Sequence, residues 1–94
     1  MNWESNKIQL KTDWDTNGYV VVKNFMNLED VSNLRKEIER YISDVVPNVR
    51  ENEVMYEDNQ KTETLKRLGH MSWYDDYFSK LINTDRFVNL AETL

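Results

Sequence analysis

The chain has 94 residues, 39% apolar, 12% aromatic and 31% charged, which suits one domain with a modest core and is too apolar and aromatic for a disordered chain. Twelve Lys and Arg against seventeen Asp and Glu leave a formal charge of −5, which argues against duplex nucleic acid as a partner, because phosphate binding rests on cationic patches. With no cysteine and one histidine, disulfides, thiolate zinc sites, thiol catalysis and a two-imidazole metal site are excluded.

Lys7 to Thr16 places Ile8, Leu10 and Trp14 among polar residues and predicts a short amphipathic helix. Gly18 ends it, since glycine tolerates the left-handed conformation at a helix C-terminus, or else opens a turn with Asn17. Tyr19–Phe25 follows as the clearest predicted strand, β-branched and aromatic, with no alternation, as for a strand covered on both faces. Its apolar part, Tyr19–Val22, is far short of the ~20 residues of a membrane span. The first seven residues lack a basic stretch leading into an apolar run, so no signal peptide is expected and the cytoplasm is the default compartment.

Asn27 is a good N-cap for a long helix. Leu28, Val31, Leu34, Ile38, Tyr41, Ile42 and Val45 recur at steps of three and four, forming one apolar stripe, and Pro47 stops the helix near Val46. On the polar side, Arg35 with Glu39 and Glu37 with Arg40 are spaced to pair across a turn. Val49–Tyr56 alternates in part and predicts a second strand. Residues 57–62 predict a loop, and Thr64–Leu68 a short turn or helix that Gly69 bends. Ser72 is placed to cap a helix holding Trp73, Tyr77, Leu81 and Ile82. Thr84 or Asp85 caps another holding Phe87, Leu90, Ala91 and Leu94. That helix meets Leu94 in mid-stripe, without a cap or a polar tail, which predicts a chain that stops before its fold is complete.

His70 is the lone imidazole, and no neighbour in the sequence orients it. Asp75 and Asp76 point about 100° apart on a helix, so capping suits them better than a shared proton or metal. Trp73, Tyr74, Tyr77 and Phe78 form an aromatic cluster that reads as a packing face. Lys66-Arg67 is the adjacent basic pair of the second half, and arginine's planar fork suits a carboxylate.

The order Asn17-Gly18-Tyr19-Val20-Val21-Val22-Lys23-Asn24-Phe25, then Asn27-Leu28-Glu29-Asp30-Val31, then Leu34-Arg35-Lys36-Glu37-Ile38-Glu39 resembles the opening of the phytanoyl-CoA dioxygenase family. Leu65–Met71, Tyr74–Leu81 and Phe87–Leu94 extend the resemblance to nearly the whole chain from about Leu10, although that is only about the first third of a family member. The resemblance implies an α+β fold. This would be the helix-strand-helix N-terminal portion of a double-stranded β-helix, a single unit over residues 1–94 without the catalytic barrel. It implies the iron(II) and 2-oxoglutarate chemistry of an oxygenase acting on a small-molecule substrate in the full-length family. The chain itself departs from that pattern. His70 is followed by Met71 and Ser72 rather than opening a His-x-Asp, and there is no second histidine, so no catalytic or metal ligand is carried over and no cofactor is expected for the chain alone. The resemblance implies one contact, a basic residue against the cosubstrate, with Arg67 fitting best and Lys66 second. The competing expectation is a free-standing, acidic α+β interaction module without catalysis, in which the aromatic cluster forms a partner surface or a homodimer contact.

Overall fold

A computed structural model of the chain describes residues 3–94. Trp3–Asn6 makes a turn of 3-10 helix that leads into α1, Lys7–Asn17. Gly18 closes α1 in the left-handed conformation at φ 77°, its N–H donating to the Trp14 carbonyl at 2.9 Å. Asn27 caps α2, Leu28–Arg40, by accepting the Asp30 N–H at 2.8 Å, and Glu29 and Asp30 favour the positive end of the helix. Beyond Arg40 the helix widens into a π turn over Tyr41–Val45, where the Val46 N–H reaches the Tyr41 carbonyl, and then tightens to 3-10 over Val46–Asn48 around Pro47. A further 3-10 turn, Glu51–Glu53, leads to β1, Val54–Tyr56. β1 pairs antiparallel with β2, Leu65–Leu68. Three helices finish the chain: α3 (Met71–Tyr74), α4 (Asp76–Ile82) and α5 (Asp85–Thr93).

The expectation of an α+β opening to a double-stranded β-helix is overturned. Helical turns account for 67% of the described residues, and β1 and β2 form the one sheet among them. The decisive difference lies at Tyr19–Phe25. Residues 19–22 have no regular secondary structure and pair with no described strand, and the chain turns over residues 23–26 with Asn24 at φ 57°. β-branched residues favour a strand only where a neighbouring strand offers a surface to fit, and here the two described strands are satisfied by each other. Tyr19 and Val21 point to solvent, 66% and 68% exposed, while Val20 and Val22 are half-buried. The expected strand Val49–Tyr56 survives as β1 alone, and Thr64–Leu68, expected as a turn or helix, supplies β2.

Two aromatic clusters organise the packing. Phe25 sits between Trp3 (ring centroids 6.0 Å apart) and Phe87 (5.3 Å), tying the N-terminal turn to α5. Tyr41, 1% exposed, meets the edge of Phe78 at 5.4 Å, and Phe78 in turn meets Tyr77 at 5.1 Å, joining α2 to α4. With Leu10, Tyr41 and Phe78 are the buried apolar side chains among the described residues. The result is an open molecule. Its radius of gyration is 16.2 Å, against about 12 Å for a compact domain of this length. Its accessible surface of 7510 Å² is roughly 1,800 Å² more than a compact monomer of 11.3 kDa presents.

Candidate functional site

The hairpin concentrates the residues with chemical potential. Along β1 and β2, Val54 faces Leu68, Met55 faces Arg67 and Tyr56 faces Leu65, so Lys66 is left opposite no partner as a β-bulge. That bulge explains the burial of the strand. A regular strand alternates faces, yet Leu65 and Leu68 are both half-buried while Lys66 and Arg67 between them are both exposed. The extra residue therefore turns two adjacent cations outward. Lys66 Nζ is paired with Glu57 Oε2 at 2.9 Å across the hairpin. Arg67 has no ion-pair partner among the described residues, so its fork of donors is open to a carboxylate.

Immediately after β2, Gly69 and His70 turn the chain into α3. The Gly69 N–H donates to the Glu53 carbonyl at 2.6 Å, and His70 Nδ1 lies 2.6 Å from Glu53 Oε2. The imidazole stacks on the Trp73 ring at 3.7 Å with an interplanar angle of 12°. His70 carries φ 51°, the left-handed region, which costs a non-glycine residue about 1–3 kcal/mol unless its surroundings hold it. Glu53 on one side and Trp73 on the other provide that hold. The imidazole that no sequence neighbour orients is thus oriented by a carboxylate 17 positions away.

Gly69 is favoured here by space, since any Cβ would make the end of the Glu53 side chain move. A Cβ on it would lie 2.7 Å from Glu53 Oε2, the same oxygen that meets His70. Gly69→Ala is expected to displace the Glu53 carboxylate, part it from His70 and cost about 1–2 kcal/mol in urea unfolding. In a Glu53→Ala background the same change should cost markedly less. Equal costs in both backgrounds would show that the clash is not with the carboxylate.

A third constellation joins α2 to the α3–α4 joint. Arg40 donates from both terminal nitrogens to the two Asp75 carboxylate oxygens, each at 2.9 Å, and from Nε to Glu37 Oε2 at 2.6 Å. The bidentate contact with Asp75, then Glu37, raises the arginine above its ordinary value. The Asp75 carboxyl is lowered first by Arg40, against the opposing pull of its burial. Asp75 Oδ2 also accepts the Phe78 N–H at the start of α4, so the residue is the helix cap that the sequence suggested. Of the two expected pairs on α2, Glu37 with Arg40 forms. Burial is the main cause that raises the Tyr41 phenol.

The aromatic cluster divides between roles. Phe78 is core, Tyr74 and Tyr77 are half-buried, and Trp73 is 69% exposed over His70. Among the described residues no group of three or more His, Cys, Asp and Glu converges as a metal site. No helix among them is long and apolar enough to cross a membrane. The fold and site define a small, open, largely helical protein that presents a bulged hairpin with two adjacent cations, Lys66 and Arg67, turned outward. No protein-family model, curated protein or solved structure matches the chain.

Proposed function

We propose that this chain is a docking scaffold that lends the outward face of its hairpin to a 2-oxoglutarate-dependent oxygenase, acting in the cytoplasm on a small molecule. The observation that carries this reading is the bulge in β2, which leaves the Arg67 guanidinium exposed and unpaired. Arginine grips a carboxylate with two parallel hydrogen bonds, and 2-oxoglutarate offers one at each end. Lys66, engaged by Glu57, is the secondary contact. In this reading the iron ligands belong to the body on which the chain docks. The need for that body is supported by the extra surface of roughly 1,800 Å², more than the ~800 Å² each partner contributes to a standard interface.

The test is made on the protein tagged in its native source. The purified assembly is expected to contain a His-x-Asp polypeptide, either continuous with this chain or bound to it, and to bind 2-oxoglutarate by calorimetry. Arg67→Ala should weaken that binding by about tenfold or more, the worth of a charge-assisted pair. Unchanged affinity removes Arg67 from the pocket. An assembly without 2-oxoglutarate binding ends the oxygenase reading.

One observation favours a second reading, a non-catalytic module that associates with its own copy. No backbone group from Tyr19 to Val22 hydrogen-bonds to any described residue, so this β-branched segment has its donors and acceptors open to strand pairing. Sedimentation of the purified chain separates the two readings. A stable dimer without 2-oxoglutarate binding favours the module, and a monomer removes it.

A further inference from the structure

We propose that the groove between the end of α2 and the hairpin is a binding site for a small amphipathic amine. This goes beyond the role given to Arg67, which lies on the opposite face of β2. The groove has a volume of about 650 Å³, within the range of small-molecule pockets. Its floor is apolar, built from Val46, Val49, Val54 and Leu65, and Tyr56 adds an aromatic ring. The π turn at Tyr41–Val45 forms its upper edge. Such widened turns displace the chain that follows and recur where helices border a site. Here the displaced segment, stiffened by Pro47, runs along the groove rather than filling it.

The polar groups of the groove choose the ligand's head. Glu51 lies in the wall and takes part in no ion pair among the described residues. Asn59 and Thr62 lie in the wall as well, and their side chains make no hydrogen bond with other described residues. No Lys, Arg or His lines the groove. An apolar chain ending in an ammonium therefore matches the site on three counts. Its body covers the valines and leucine, its charge meets Glu51, and the face of Tyr56 favours a cation. The chain's formal charge of −5 draws cations towards it from a distance. A carboxylate of the same length would bring its charge against Glu51 and find no cation there.

The experiment titrates the full chain with octylammonium, octanol and octanoate, each followed by calorimetry and by amide chemical shifts. Octylammonium is expected to bind about tenfold tighter than octanoate, with the largest shifts at Val46, Val49 and Val54. Glu51→Gln should bring the amine down to the affinity of octanol while leaving octanol unchanged. Val46→Trp, which fills the groove from a half-buried position in its lining, should abolish binding of all three. The proposal is overturned if octanoate binds as well as the amine. It is equally overturned if Glu51→Gln leaves the preference intact, if the shifts map elsewhere, or if octylammonium does not bind at all.

Discussion

Phe78→Ala is expected to bring the chain to the edge of unfolding at 25 °C. Truncating a buried phenylalanine costs about 3–5 kcal/mol, through lost transfer energy and the cavity left behind. A chain of 94 residues has a total stability of about 5 kcal/mol at the lower end of the usual range per residue, and an open molecule with few buried apolar side chains belongs at that end. Phe78 is 6% exposed and is the ring on which both Tyr41 and Tyr77 rest, so no neighbour replaces it. Urea unfolding followed by circular dichroism should show a midpoint moved close to zero denaturant and a folded baseline shortened or lost for Phe78→Ala. Phe78→Leu should lose only about 1–2 kcal/mol, because most of the volume is kept. Ile8→Ala, at a side chain 86% exposed, should stay within about 0.5 kcal/mol of the parent. A Phe78→Ala protein with the parental midpoint would mean that α2 and α4 are joined by something other than this cluster.

The second large effect is electrostatic and has a definite sign. Arg40 lowers the Asp75 carboxyl below its ordinary value, so the folded state holds that proton less tightly than the unfolded chain does. The stability this contributes is complete above the unfolded carboxylate value of about 3.9 and is lost as pH falls through the lower folded value. Asp75→Asn should cost about 2 kcal/mol at neutral pH, because hydrogen bonds to a charged group are replaced by a weaker neutral contact. The difference between Asp75→Asn and the parent should shrink as the pH is taken below 4, within the range of about 3.9 and lower. Asparagine remains a good helix cap, so Asp75→Ala should cost about a further 1 kcal/mol through the start of α4. A gap between parent and Asp75→Asn that stays constant through acid would show that the Arg40 contact contributes nothing. On the alkaline side the buried Tyr41 acts in the opposite sense. Its raised phenol stabilises the fold below about pH 10, and that contribution is lost as pH rises through the folded value.

The first two helices were legible from the sequence because their signals are local, whereas the single helix expected from Ser72 is broken at Asp75 into α3 and α4, with Ser72 inside α3 rather than capping it. Asn27 and Gly18 are capping residues whose preferred conformations do not depend on distant partners, and the stripe from Leu28 to Val45 needs only the helical period to be read. Asp75 was legible as a cap for the same reason, but its partner Arg40 lies 35 positions away and leaves no periodic trace. The strands were harder. Tyr19–Phe25 has strand-forming residues but no described partner strand, and composition cannot reveal whether a partner is present. Leu65 and Leu68 are three apart, which suits one face of a helix. Only the bulge at Lys66 lets the same spacing serve a strand, and a bulge has no sequence signal of its own here. Arg67 was therefore singled out for its charge, while the reason for its exposure lies in pairing geometry. His70 was visible as a lone imidazole, and its contact with Glu53 depends on the hairpin bringing two turns together.

The π turn at Tyr41–Val45 also governs where the second half of the molecule points. One residue of helix corresponds to a rotation of about 100°, so a turn that holds an additional residue shifts the angular phase of everything after it by that amount. The stripe of α2 and the chain leading to the hairpin consequently face different directions, although a single helical rod appears to connect them. Deleting Ser43 would bring the rod back into step and rotate Val46–Asn48, with the hairpin behind it, by about 100° around the axis of α2. The length of that one turn, more than the composition of the residues in it, is the dial that sets the orientation of the hairpin.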